Sequence, residues 1–371
     1  MKKKILFLIN TLRDGGAEKI LVDIVNNLDP SKYDIEICMI YDRNVFGERL
    51  NANIKLSSIA GKLGSLKAKI VSRLLHNMSS EILHFLFIHE KYDIEVAFLE
   101  GYATKIIAGA SQNTKTIAWV HCDVTKTEWI TGVFRKEEEF IECYKKIDEV
   151  ISVSKSVQDA FIERFGEITN LSVRYNPVTD EHIRKLAEQQ IDLVASDNKV
   201  TLISLGRMTY QKNFLRLLRA VKKMLALGFA IELWLLGTGE EYEKLQKYVK
   251  DNYLQEHVKL LGFQMNPYPY MKQADLYVCS SLYEGFSTAA TEALVLGVPV
   301  LTTDVSGMKE MLGSNEYGII TENTDEAFED GLKKIISHKE LLRHYKEKAI
   351  ERGSFFEFDK RMEEIENLFW N

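Results

Sequence analysis

Short apolar runs that alternate with helical patterns limit most strongly how this chain can fold. The runs are continuous rather than alternating, which is typical of parallel strands that are covered on both faces. Amphipathic helical patterns or glycine turns separate them, and this succession predicts an α/β fold with helices on both faces of parallel sheets. The predicted strands are residues 5–9, 33–41, 93–99, 114–120, 149–153, 171–175, 200–205, 231–236, 258–261, 276–279 and 298–302.

The alternation is interrupted once, near the middle of the chain. Asn176 and Pro177 end the first series, and residues 179–199 are polar, charged and partly helical. Because 371 residues exceed what one ordinary core accommodates, we predict two domains, residues 1–177 and 178–353. A last helix, at about residues 355–370 within a segment 354–371, ends in aromatic residues. Helices are also predicted at 17–28, 104–110, 128–146, 154–165 and 214–227.

Composition excludes several classes of protein. Lys plus Arg number 48 against 54 for Asp plus Glu, a net charge of −6, so no basic field indicates nucleic acid. Four scattered cysteines without a C-x-x-C favour a reducing compartment over a disulfide framework or a zinc site. No run of eighteen apolar residues predicts a membrane span, and the run 5–9 is too short for a signal sequence. We therefore expect a cytoplasmic protein.

Residues 61–90 have an unusual composition in which acidic residues are scarce. A helical projection places Lys62, Lys69 and Arg73 with His76 on one side and leucine, isoleucine and valine on another, with Lys67 out of place. Such a helix can lie on an anionic membrane surface. The alternative is an ordinary packed helix with a solvated basic face.

Residues 275–310 concentrate the features of a binding site. A predicted strand is followed by a loop with Glu284, then by Ser287 or Thr288 as the cap of a helix that contains Glu292. This order places backbone N–H groups at the carboxyl edge of a parallel sheet, where anions and nucleotides bind. The two glutamates need not share a helix face, so we interpret them as separate ligand contacts rather than an acid/base pair.

Cations and glycines follow the earlier strands of the second series. Arg207 and Lys212 flank a loop between a strand and a helix, where they could neutralise a diphosphate or be surface cations. Gly237, Gly239 and Gly262 fit a backbone that passes close to a flat base or ribose. Ordinary turns explain these glycines equally well.

The first series offers two candidates. Gly15 and Gly16 lie in a turn without the G-x-G-x-x-G spacing, and the turn either approaches a phosphate or merely leads into a helix. His121 follows a strand in W-V-H-C-D, so it falls at the carboxyl edge of the predicted sheet. It is either a ligand contact or a hydrogen-bonded loop histidine.

Taken together, these motifs resemble family 4 glycosyltransferases, the retaining sugar-nucleotide enzymes of the GT-B fold. The resemblance rests on R-D-G-G-A-E, N-P-V, G-R…K-N, G-T-G-E, E-G-F-S-T-A-A-T-E-A, G-V-P-V and T-T-D-V-S-G-M-K-E-M in that order. It is most specific over residues 202–318. The fold it implies is two Rossmann-like domains facing each other across a cleft, with the C-terminal helix crossing back to the N-terminal domain.

The resemblance also implies roles for individual residues. Arg207 and Lys212 would hold the diphosphate, Glu284 would lie near the donor sugar, and His121 would lie on the acceptor side of it. Glu292 would bind the ribose hydroxyls. Residues whose backbone would approach the donor are Gly15, Gly16, Gly237, Gly239, Gly262, Phe263, Gly285, Phe286, Ser287 and Thr288.

The activity that the resemblance implies is transfer of a hexose or N-acetylhexosamine, with retention, from a nucleotide sugar to a saccharide. UDP is the expected nucleotide. The acceptor could be lipid-linked, at the inner membrane face, in assembly of capsule, exopolysaccharide or O-antigen. The chain has no D-x-D sequence, so no metal cofactor is expected. Alternatives are a UDP-sugar epimerase or hydrolase of the same fold, and a non-catalytic nucleotide-binding partner of a transferase.

Overall fold

The chain forms two compact units, of which the computed structural model describes residues 2–13, 15–127, 132–356 and 358–370. The first unit extends to Pro177 and includes the chain from Asp359 onward. The second unit is Val178–Phe358. Each contains one parallel sheet, as the alternation of runs and helical patterns predicts.

Over its described residues, the first unit has seven strands in the order β3-β2-β1-β4-β5-β6-β7. Since β1 is flanked by β2 on one side and β4 on the other, the strand order reverses between β1 and β4. The strands are β1 Lys3–Ile9, β2 Tyr33–Met39, β3 Lys55–Ser58, β4 Ile94–Ala97, β5 Lys115–Val120, β6 Glu149–Ser152 and β7 Leu171–Val173. Its helices before Pro177 include α1 Gly16–Asn27, α2 Leu66–Asn77, α3 Ser80–Phe87, α4 Tyr102–Ile107, α5 Glu137–Lys145 and α6 Lys155–Phe165.

Two predictions about these helices are wrong. Lys62 does not lie on α2, because that helix begins at Leu66 after Ser65, whose side chain accepts the Ala68 N–H. Gly61 and Gly64 have positive φ angles of 65° and 86°, which interrupt helical geometry ahead of the cap. The helix predicted at 128–146 begins only at Glu137, and residues 128–131 lie outside the described part of the chain.

The second unit has six strands in the order β10-β9-β8-β11-β12-β13. The strand order reverses between β8 and β11, which are adjacent and parallel. The strands are β8 Val200–Leu205, β9 Ile231–Leu236, β10 Val258–Gly262, β11 Leu276–Cys279, β12 Val300–Thr303 and β13 Ile319–Thr321. The helices are α7 Asp180–Leu186, α8 Phe214–Ala226, α9 Tyr242–Asp251, α10 Tyr268–Gln273, α11 Thr288–Val295, α12 Met308–Leu312, α13 Asp325–Ser337 and α14 Lys339–Gly353.

Strand β9 shows why continuous apolar runs predict these sheets. Leu233 and Leu235 belong to one hydrophobic core, whereas Trp234 and Leu236 belong to another. Successive side chains of a strand point to opposite faces, so the two cores lie on the two sides of the sheet. Each face is then covered by helices, and every residue of the strand is buried.

The last helix, α15 Phe358–Trp370, packs on the sheet of the first unit. The ring of Phe369 makes edge contacts with Phe7 and Tyr33, at 6.3 and 5.9 Å between centroids. Lys3 Nζ donates to the Phe369 carbonyl at 2.6 Å, and Trp370 Nε1 donates to the Tyr33 hydroxyl at 2.6 Å. Across the described ranges, no helix combines the length and hydropathy needed to cross a bilayer.

Candidate functional site

The strongest polar cluster lies where the strand order of the second sheet reverses. Lys212 follows β8 and Glu284 follows β11, and Lys212 Nζ lies 2.6 Å from Glu284 Oε1. The same oxygen accepts a hydrogen bond from Ser281 Oγ at 2.6 Å. In open α/β sheets, the crevice at such a reversal is where ligands bind.

The environment of Lys212 keeps its ammonium charged. Burial alone would lower the pKa of Lys212, but the Glu284 carboxylate has the opposite effect and the pKa lies above its ordinary value. The positive charge of the exposed Arg207 lowers the pKa of Lys212, so the two cations repel each other. The two cations predicted to act together are therefore close enough to interact.

Hydrogen bonds join the loops that carry Lys212 and Glu284. Ser280 Oγ donates to the Lys212 carbonyl at 2.9 Å, and the Leu282 N–H donates to the Gln211 carbonyl at 2.8 Å. Gln211 Nε2 returns a bond to the Tyr283 carbonyl at 2.9 Å. The ion pair is thus held by backbone contacts on both sides rather than by two free side chains.

Arg216 supports the same loops and was not singled out from the sequence. Its buried guanidinium donates to Asp325 Oδ1 at 2.7 Å, to Asn323 Oδ1 at 2.6 Å and to the Ser280 carbonyl at 3.5 Å. The sequence does indicate that Arg216 is buried, because it lies four and eight residues before Ala220 and Met224, which are buried residues of α8. That spacing places an arginine on the buried side of an amphipathic helix.

The glycines after β8 and β9 allow close approach of one backbone to another. Gly237 has a φ of 131°, and a Cβ there would lie 2.0 Å from the Gly206 carbonyl oxygen. Its N–H donates to the carbonyl of Gly262 at 2.7 Å, and a Cβ on Gly239 would lie 2.4 Å from the Met208 carbonyl oxygen. These close backbone approaches agree with the interpretation of the glycines as ordinary turn residues. Contact of these glycines or of Phe263 with a ligand stays a prediction.

The start of α11 follows the predicted pattern. Ser287 caps the helix by accepting the Ala290 N–H at 3.3 Å, and the helix begins at Thr288 after Gly285 and Phe286. Glu292 lies in the second turn and is buried. The Tyr268 hydroxyl donates to Glu292 Oε1 at 3.1 Å, which fixes the carboxylate.

In the first unit, His121 lies at the carboxyl end of β5. The main-chain N–H groups of His121 and Cys122 both donate to Glu100 Oε1, the latter at 2.9 Å. The imidazole packs on Phe98 with 4.9 Å between ring centroids. Burial lowers the pKa of His121 to about 3, although a hydrogen bond to the Phe98 backbone opposes the shift. The ring is neutral at physiological pH, and no described residue hydrogen-bonds its buried Nε2.

Glu100 is a second residue that the sequence did not reveal. It is fully buried beneath the turn after β5, and burial raises the pKa of its carboxyl group. Hydrogen bonds from the two backbone N–H groups act in the opposite direction. By accepting both, Glu100 fixes the backbone that carries the imidazole of His121.

The glycine turn lies at the carboxyl end of β1 in the same sheet. Gly15 is extended and Gly16 begins α1, while Asp14 lies outside the described residues. A Cβ on Gly15 would lie 2.0 Å from Glu18 Oε2, so a glycine lets the Glu18 carboxylate pack against this turn. An approach of Gly15 and Gly16 to a phosphate stays a prediction. Within the described ranges no three His, Cys, Asp or Glu side chains form a metal-binding group.

Comparison with known proteins agrees with this architecture. Residues 187–352 match the family model described as glycosyl transferases group 1. Over 96% of both chains, the sequence is 26% identical to N-acetylgalactosamine-N,N'-diacetylbacillosaminyl-diphospho-undecaprenol 4-alpha-N-acetylgalactosaminyltransferase of Campylobacter jejuni. Among solved structures, HepE of Anabaena in complex with UDP is 18% identical, with a TM-score of 0.74 and 99% of each chain covered. A mutant of TarM from S. aureus with UDP, fondaparinux and alpha-GlcNAc-glycerol is 14% identical, with a TM-score of 0.77 and the same coverage.

The fold and the relatives define the class of protein. This chain has two Rossmann-like units with parallel sheets, and 96% of it is matched by a curated glycosyltransferase, so it is a glycosyltransferase of the GT-B fold. The part of the second unit that matches the glycosyl transferases group 1 model contains Lys212, Glu284 and Glu292.

Proposed function

We propose that this glycosyltransferase moves a hexosyl or N-acetylhexosaminyl group, with retention, from a UDP-sugar to a saccharide acceptor. The single observation that carries the proposal is the Lys212–Glu284 pair, 2.6 Å apart at the strand-order reversal of the second sheet. A partly buried ammonium held in that position suits a donor with a diphosphate and a sugar. The carboxylate beside it suits the sugar hydroxyls.

Cleavage of a glycosyl–phosphate bond leaves negative charge on the departing diphosphate. Lys212 and Arg207, with the N-terminus of α11, supply positive potential before the charge develops. Preorganised donors of this kind are each worth about 10²–10³ in rate. Residues 285–288 open α11, and their backbone N–H groups are the expected contacts of the donor.

Other residues supply recognition. Glu292, fixed by Tyr268, suits the two ribose hydroxyls because a carboxylate accepts hydrogen bonds from both. Neutral His121 can accept or donate one hydrogen bond, and its buried Nε2 suits a sugar hydroxyl. The turns at Gly237, Gly239, Gly262 and Phe263 would adjoin the nucleoside, and those at Gly15 and Gly16 the phosphates.

The names of the compared proteins support the donor, the acceptor and the stereochemistry. HepE and TarM were solved with UDP, and the C. jejuni relative is named for a saccharide on diphospho-undecaprenol. That relative is also named for an alpha linkage, and an alpha product from an alpha-linked donor means retention. We therefore propose a lipid-linked saccharide acceptor at the cytoplasmic face of the membrane, in assembly of a cell-surface polysaccharide.

The test is a transfer assay with and without acceptor. The protein is incubated with UDP-glucose, UDP-galactose, UDP-GlcNAc or UDP-GalNAc and an undecaprenyl-diphosphate saccharide, and NMR of the product gives the anomeric configuration. An alpha-linked product that requires the acceptor is expected. Rapid epimerisation or hydrolysis without acceptor would replace the transferase proposal with one of those activities, and an inverted product would remove retention.

A further inference from the structure

Helices α2 and α3 present large apolar side chains to solvent, although both helices are firmly packed. Leu66, Ile70 and Phe85 have exposed fractions of 75%, 54% and 78%, and Ile82 and Leu86 of α3 are also exposed, as is Leu63 just before α2. We call this set of side chains the α2–α3 surface. Isolated exposed apolar residues are normal, but a group of this size on two consecutive helices marks an interaction site.

The opposite side of α2 is well packed, so its outer side is not exposed by loose docking. Val71 and Leu75 are buried in the first unit, and the hydroxyls of Ser72 and Tyr41 lie 2.7 Å apart. The buried Lys105 donates from Nζ to the His76 carbonyl at 3.3 Å and pairs with Glu139 at 2.9 Å. These contacts hold α2 in place on the first unit.

Cations border the apolar strip on both sides. At 100° per residue, Leu66, Ile70 and Leu74 form one strip, with Lys69 and Arg73 on one flank and Lys67 on the other. Residues 61–80 contain four cations and no carboxylate. Glu81, at the start of α3, is paired with Lys146 at 2.6 Å.

We propose that the α2–α3 surface docks on an anionic lipid bilayer, with Leu66, Ile70 and Phe85 inserted at the boundary between headgroups and acyl chains. Lys67, Lys69 and Arg73 then face the lipid phosphates. An apolar strip that is flanked by cations matches an interfacial helix. A second copy fits less well, because a two-fold contact brings the same surface, and hence like charges, together.

This proposal goes beyond the transfer reaction and differs from a purely electrostatic contact. Lys62 lies outside α2, so the cations that border the strip belong to the helix itself. Apolar insertion predicts binding that survives partly at high salt, whereas a contact made by Lys69 and Arg73 alone would be lost with screening. The affinity of the donor site for UDP is expected to be independent of it.

The test is sedimentation of the full chain with vesicles of phosphatidylcholine containing about one third phosphatidylglycerol, an anionic content that attracts polybasic surfaces. The variant is Leu66→Ser/Ile70→Ser/Phe85→Ser. A matched control, Val194→Ser/Leu227→Ser/Ile350→Ser, alters side chains with exposed fractions of 74%, 52% and 56% in the second unit. We expect the variant to need at least about tenfold more lipid for half-binding, since the affinity scales with inserted apolar area. The control should bind like wild type, and all three proteins should bind UDP equally.

Two results would overturn the proposal. One is equal vesicle binding by the variant and the wild type. The other is that neither protein binds vesicles, while sedimentation velocity shows a dimer of the wild type that the variant does not form. The α2–α3 surface would then join two copies of the chain. A second variant, Lys69→Gln/Arg73→Gln, should lose binding to the anionic vesicles more strongly at low salt than at about 0.5 M salt.

Discussion

Lys212 Nζ and Glu284 Oε1 lie 2.6 Å apart although 72 positions separate the two residues in the chain. Adjacency of β8 and β11 brings their loops together, and the three hydrogen bonds described above between these loops keep them there. The Glu284 carboxylate pairs with the ammonium in that position without a diphosphate. The positive charge that the proposed donor site requires is thus in place before a substrate binds.

Lys212 and Glu284 should therefore behave as one catalytic unit. Lys212→Met and Glu284→Gln should each lower turnover by about 10²–10³, and the double variant should be little worse than either, because each substitution alone already breaks the pair. Initial rates in the transfer assay measure the effects. Lys223→Met, which removes an exposed cation of α8, the helix that follows Lys212, should retain wild-type turnover. Fully additive losses would show that the two side chains act separately.

Glu292→Gln should weaken UDP binding while the fold is kept. The amide has the size of the carboxylate, but it removes a charged acceptor worth about 1.5–3 kcal/mol, or about 10- to 100-fold in affinity. Isothermal calorimetry with UDP measures the effect, and Glu256→Gln on the surface is the control. Equal affinity of Glu292→Gln and wild type would reject the ribose contact.

Local patterns were sufficient for the elements that carry the site. The predicted strand 231–236 coincides with β9 because all six of its residues are buried and five of them are apolar. Of the two predicted caps, Ser287 and Thr288, Ser287 is the one that caps α11, and a hydroxyl before a helix needs only its local N–H partner. In contrast, β3 was missed, because Lys55–Ser58 is a short edge strand that lacks buried residues.

Contacts between distant segments could not be derived in this way. The pairing of Lys212 with Glu284 depends on which strands are neighbours, and no local periodicity specifies that order. Arg216 was overlooked because a lone arginine is usually a surface cation, and its partners Asn323 and Asp325 lie more than a hundred residues away. The helical projection that included Lys62 failed for a different reason, since it ignored the glycines at 61 and 64.

His121 should make the stability of the protein depend on acidity. Its pKa is about 3 in the folded state against an ordinary 6.5, so between these values the unfolded chain binds a proton that the folded chain does not. Stability is therefore lost as the pH falls from 6.5 towards 3, by at most about 1.4 kcal/mol per pH unit from this group. His121→Asn should reduce the loss, measured as the urea midpoint at pH 7 and pH 5.

Arg216 and Arg219 offer a matched pair on one helix, because both lie near Asp325, at 2.7 and 3.5 Å. Arg216→Ala should destabilise the second unit by about 2–3 kcal/mol, since it removes buried charged hydrogen bonds. Arg219→Ala alters an exposed pair and should cost less than about 0.5–1 kcal/mol. Thermal unfolding compares the two. Equal effects would mean that the bonds of Arg216 to Asn323 and Ser280 contribute nothing beyond the shared carboxylate.

Alanine substitutions at Gly237 and Gly228 distinguish the cost of a positive φ angle from the cost of a steric clash. Both have positive φ angles, 131° and 86°, but a Cβ would lie 2.0 Å from the Gly206 carbonyl oxygen only at Gly237, whereas Gly228 has nothing within 4 Å. Gly228→Ala should cost about 1–2 kcal/mol from the left-handed conformation alone. Gly237→Ala should cost more and should also lower turnover, because it pushes the turn after β9 away from the loop that leads to Lys212. Unfolding and initial rates on both variants give the comparison, and equal losses of stability with unchanged turnover would separate this turn from the donor site.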